Sequence, residues 1–80
     1  MLLNNFFDCR LLAKICIITI YNEPTDFPES IIARLFDANV ATDYYCIADT
    51  LEEMRTLIPQ YMVNIGRMPE DDPVIIEVWI

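Results

Sequence analysis

The chain has 80 residues, 55% of them hydrophobic, with 13 carboxylates against five cationic side chains and a net charge of −8. That length makes one domain near the lower limit for an unaided core, and the apolar content excludes a disordered chain. With no histidine, one serine (Ser30) and one glycine (Gly66), the usual general base, an activated serine and a glycine-rich phosphate cradle are excluded, so the chain reads as a binder and not as an enzyme.

Residues 1–12 are ambiguous. Leu2, Leu3, Phe6 and Phe7 fit one helical face, yet the segment also reads as a flexible leader. It has no basic stretch, and Asp8, Arg10 and Lys14 interrupt the apolar run, which argues against a signal peptide. Residues 11–21 supply roughly half of the ~20 apolar residues that a spanning helix needs, so no membrane anchor is expected.

Residues 13–21 are rich in isoleucine and predict a first strand. Cys16, Ile18 and Ile20 share one side; Ile15, Ile17, Thr19 and Tyr21 share the other. Both sides are largely apolar, which places the strand centrally or sets one side against a partner. Residues 22–29 form a Pro- and acid-rich loop, and residues 30–37 predict a second strand in which Ile31, Ala33 and Leu35 alternate with Ile32, Arg34 and Phe36. A turn follows over 38–43, then a short third strand over 44–48.

Thr50 followed by Glu53 is a capping box, and Glu52 and Glu53 lie in the first turn, where the helix dipole favours negative charge. Leu51, Met54, Leu57, Ile58 and Tyr61 recur at helical spacing, so one side of a helix over 49–58 is expected to be buried, with Pro59 stopping it. Residues 62–67 predict a further strand, residues 68–73 a loop and residues 74–80 a last strand. In that strand Val74, Ile76, Val78 and Ile80 oppose Ile75, Glu77 and Trp79. The order β-β-(β)-α-β-β makes an α+β fold: a small antiparallel or mixed sheet of four to five strands with one helix on one face. The other face is left for solvent or a partner.

Three cysteines, Cys9, Cys16 and Cys46, are an odd set for a disulfide scaffold. Reduced core thiols and a cytoplasmic location are expected. Glu70, Asp71 and Asp72, with Glu77 nearby, are the densest acidic cluster, but they lack the alternate acids and glycine of a calcium loop. Neither a metal nor any other cofactor is expected. A metal-dependent hydrolase built on these four carboxylates is the enzyme alternative.

The acids gather at element ends while the strands stay apolar. Phosphate affinity comes from cations, so direct nucleic-acid binding is disfavoured. An acidic surface is instead attracted to basic grooves, where it can stand in for phosphates. Glu52, Glu53, Glu70, Asp71 and Asp72 are the candidate charged contacts, and Trp79 and Tyr45 the candidate apolar anchors. Tyr44 and Tyr61 are lesser candidates.

The run Ala48-Asp49-Thr50-Leu51-Glu52-Glu53 resembles the strand-to-helix entry of HicB-like antitoxin domains. The helix end Leu57-Ile58-Pro59 and the tail Asp71-Asp72-Pro73-Val74-Ile75-Ile76-Glu77-Val78-Trp79-Ile80 look like those of a family of short uncharacterised bacterial proteins, over roughly residues 24–80. In size, acidity and lack of catalytic residues the chain is similar to phage anti-CRISPR proteins, an analogy of type without a shared motif. These likenesses imply a partner that is a basic protein or nucleoprotein, either a CRISPR effector blocked sterically or a toxin covered by an antitoxin. A fourth reading is a dimeric accessory protein, because a domain this small often needs a second copy.

Overall fold

The computed structural model describes residues 1–22, 30–67 and 73–80. They form strands β1 (Cys16–Asn22), β2 (Ile31–Asp37) and β3 (Val40–Ala48), helix α1 (Leu51–Thr56), and strands β4 (Asn64–Gly66) and β5 (Ile75–Trp79). One antiparallel sheet runs β3-β2-β1-β5-β4. The α+β fold expected from the sequence is therefore present, with five strands and one helix.

The β-branched first strand lies at the centre, where both its sides need apolar neighbours. Its alternation sets the layers. Ile18 stands opposite Leu35 and Trp79, and Ile20 opposite Ala33 and Glu77, all on the covered side. Ala33 pairs with Cys46 and Ile31 with Ala48, and the small side chains of Ala33, Cys46 and Ala48 leave room for α1, which packs on β2 and β3. Met54 is fully buried in the resulting core and Ile58 nearly so, while Leu51 and Leu57 pack at its margin. Tyr61, expected on the same buried side, is exposed, because the helix has ended and the Arg10 guanidinium lies 3.9 Å from its ring centroid.

The helix is shorter than the sequence pattern. Thr50 takes an extended backbone conformation, and its hydroxyl accepts from the Glu53 N–H at 3.1 Å, so the forward half of the capping box forms. Replacing Thr50 with alanine is expected to cost about 1 kcal/mol of stability, read as a lower urea midpoint at unchanged slope.

The first twelve residues belong to the domain. Leu2 makes a parallel bridge to Tyr45, with the Leu3 N–H donating to the Tyr45 carbonyl at 2.7 Å and the Tyr45 N–H to the Met1 carbonyl at 3.1 Å. The chain then passes under the sheet in a single 3-10 turn (Cys9–Leu11), and Phe6 and Cys9 enter the core.

β3 is longer than the sequence suggested. Its first residues pair with the end of β2 through a two-residue turn at Ala38 and Asn39, where Ala38 holds φ 54°. An alanine there accepts the strain of the left-handed region. The ladder is then broken between Arg34 and Phe36, where the Thr42 hydroxyl donates to the Leu35 carbonyl at 2.6 Å. A second irregularity falls on β5, where Ile20 faces Glu77 but Tyr21 faces Ile75. Ile76 is the extra residue of that bulge.

Candidate binding surfaces

The strand register assembles a continuous second face on the side of the sheet away from α1, whose members are mostly buried or half-buried. One cross-strand row runs Tyr45, Arg34, Thr19, Val78 and Gly66. The next runs Ile47, Ile32, Tyr21 and Ile75, and a shorter one Ala41, Phe36 and Ile17. Apart from Thr19 and Arg34 these positions are apolar, aromatic or glycine. Ile32 and Thr19 are buried on this side, and neither belongs to the core cluster under α1.

Arg34 is the one charged residue in these rows and lies next to the β3 edge. Its guanidinium lies 5.4 Å from the Tyr45 ring centroid, and Nη1 donates to the Thr42 carbonyl at 2.8 Å. At the β3 edge the face opens into a recess of about 700 Å³ lined by Arg34, Thr42, Asp43 and Tyr45 among others. Tyr45 thus stands where an apolar anchor is useful. Trp79 does not share its surface: it packs against the core, and its indole N–H donates to Glu77 Oε1 at 3.1 Å. The even spacing of Glu77 and Trp79 puts both on the covered side.

Glu77 is the most constrained acid. It is buried, and Arg55 reaches across from α1 to hold both its oxygens, with Nε donating to Oε1 at 3.2 Å and Nη2 to Oε2. The Arg55 guanidinium lowers the Glu77 pKa below the usual carboxylate value; burial opposes this, and the Trp79 and Asn64 side chains assist it. A carboxylate so held is ionised at neutral pH, and both its oxygens are engaged by Arg55. Glu70, Asp71 and Asp72 lie outside the described residues. Among the described residues no three His, Cys, Asp or Glu side chains come together to hold a metal.

Of the other described acids, Asp37 is half-buried and accepts from the Ile15 N–H at 3.1 Å, and the rest behave differently. Asp8, Asp43, Asp49, Glu52 and Glu53 are all exposed, and none takes part in a salt bridge among the described residues. Asp49, Glu52 and Glu53 gather at the start of α1. Several cations are meanwhile engaged internally: Arg10 with Tyr61, Arg34 with Tyr45 and Thr42, and Arg55 with Glu77. The described acids at the start of α1 are thus exposed, with the Arg55 guanidinium acting electrostatically on Glu52. Sequence reasoning found Glu52 and Glu53 through the capping box. It had no signal that Arg34 would lie beside Tyr45 on the second face, since only the pairing register places it there.

All three cysteines are free. Burial pushes the Cys46 thiol up to about 12. Burial first, and then the Cys9 thiol beside it, pushes Cys16 up to about 11. Both are protonated at neutral pH and so poor nucleophiles. No helix among the described residues is long and apolar enough to cross a membrane.

Comparison with protein-family models, with curated proteins and with solved structures gives no significant match to this chain in any of the three.

Proposed function

We propose that this chain is a small acidic, non-enzymatic binding protein that inhibits a basic nucleic-acid-handling protein by occupying the groove where phosphates would lie. The supporting observation is the separation of charge. Exposed acids stand without salt-bridge partners among the described residues, while the one described ion pair uses the buried Glu77. Such a surface steers toward Lys- and Arg-lined clefts and repels nucleic acid itself. An anti-CRISPR type of block, in which acidic side chains shield an effector's nucleic-acid channel, is the most concrete version of this reading.

The test captures partners from the native host's lysate on the immobilised chain, alongside a Glu52→Lys/Glu53→Lys variant. The expected result is a basic nucleic-acid-handling protein that elutes as salt rises, loses nucleic-acid binding in the complex, and is captured at least ~10-fold more weakly by the variant. Equal capture by both proteins would remove the helix-start acids from the interface. A captured partner that still binds its nucleic acid would sink the inhibitor reading. Stoichiometric binding of Mg²⁺ or Mn²⁺ would instead favour the carboxylate hydrolase.

A further inference from the structure

We propose that the recess beside the end of α1 is a binding site for a flat aromatic ring that carries a neutral carbonyl acceptor. The Phe6 N–H donates to the Leu57 carbonyl at 2.8 Å, which brings the N-terminal segment against the turn that follows α1. That turn is closed by the Met62 N–H, which donates to the Pro59 carbonyl at 3.1 Å. Between the two segments lies a recess of about 560 Å³, a size common to small-ligand sites. Ile58 and Pro59 are buried and form its floor, while Phe7 and Tyr61 line it as exposed rings. Tyr61 is held from outside: the Arg10 guanidinium lies 3.9 Å from its ring centroid, and its hydroxyl is 3.5 Å from Cys9 Sγ. The aromatic lining is thus largely set before a ligand arrives, so that stacking on it costs little ordering.

Arg55 and Gln60 supply the polar part of the lining. Glu77 fixes the Arg55 guanidinium through Nε and Nη2, and Nη1 lies outside that clamp. A guanidinium offers donors alone, so the group it takes must be an acceptor. That acceptor is a carbonyl and not a carboxylate. The Arg55 charge is already met by Glu77, and Glu52 acts on it as well, so a ligand anion would be one negative charge too many. A saturated ring of equal size would fill the floor yet lose the contacts that Phe7 and Tyr61 offer to a π-face. An aryl amide meets both demands, and so does an aromatic residue within a peptide. Asp49, Glu52 and Glu53 do not line the recess, so this site is separate from the acidic contacts proposed above.

The test titrates the full chain with benzamide and with N-acetyl-phenylalaninamide, followed by backbone amide shifts in NMR spectra. Shifts at Phe7, Thr56, Gln60 and Tyr61 are expected, with a benzamide Kd on the order of 1 mM. Tighter binding of the peptide analogue would assign the ring to a protein partner, and tighter binding of benzamide to a free ligand. Cyclohexanecarboxamide should bind about 2- to 10-fold more weakly than benzamide, and benzoate roughly 10-fold more weakly. Phe7→Ala alters an exposed ring and should weaken benzamide by about 2- to 10-fold in a folded chain. If that variant unfolds, the ligand series on the wild-type chain decides. Absence of shifts at these four residues would overturn the proposal. So would cyclohexanecarboxamide or benzoate binding as tightly as benzamide, or a folded Phe7→Ala chain that binds benzamide unchanged.

Discussion

Met54→Ala is expected to destabilise the domain by about 2–5 kcal/mol, measured as a fall in the urea midpoint with little change in slope. Met54 is fully buried and is the central side chain that α1 sends into the core, over a sheet surface of Ala33, Cys46 and Ala48. Small residues below it cannot close the space that truncation opens, because their own backbone is fixed by the ladder. A domain of this size has a total stability in the range of about 5–15 kcal/mol, so the loss is a large fraction of it. Leu51→Ala removes a comparable hydrocarbon from a half-buried position and should cost visibly less. Equal losses at the two positions would mean that the helix is rotated from the orientation described here.

The parts of the fold that were legible are those where period-two alternation is strong and local. Residues 16–20 and 31–36 alternate without interruption, and the structure keeps both side assignments. The helix start was legible because Thr50 and Glu53 form a local signal that needs no tertiary context. What escaped depends on distant partners. Residues 1–12 have no clean period, since Leu2 serves a strand edge while Phe6 and Cys9 fill the core from a single turn. The start of β3 reads as a turn because Thr42 and Asp43 are polar, yet pairing with Phe36 and Asp37 extends the strand to Val40.

The candidate site divides along the same line. Charge is written in composition, so the exposed acids at the start of α1 could be named in advance. Which side chain becomes an anchor depends on register, and there Tyr45 and Trp79 part company. Tyr45 meets Arg34 on the second face, whereas Trp79 follows Glu77 to the side under α1. Glu77 itself, one acid among 13, carries no mark in the sequence that singles it out. Its partner Arg55 lies 22 positions earlier, on another element. The two surfaces that result differ in kind, one acidic and solvated, the other apolar with a single cation.

Glu77→Gln is expected to lower stability most at neutral pH and hardly at all in acid. The Arg55 guanidinium, with help from Trp79 and Asn64, holds the folded-state pKa of Glu77 below its ordinary value of 4.5. A depressed carboxylate contributes stability that is fully present above the unfolded value and is lost as pH falls through the folded one. The gap in urea midpoint between wild type and variant should accordingly be constant from pH 7 down to about 5, then close below 4.5. The Trp79 hydrogen bond to the buried carboxylate belongs to a class worth about 1.5–3 kcal/mol. The Arg55 arm reaches in from an exposed position and is weakened by salt. Raising salt at pH 7 should therefore shrink the gap only in part, leaving the share that belongs to Trp79. A gap independent of pH would show that Glu77 contributes by packing alone. A gap that widened in acid would reverse the sign and place the protonated carboxyl, not the carboxylate, in the folded state.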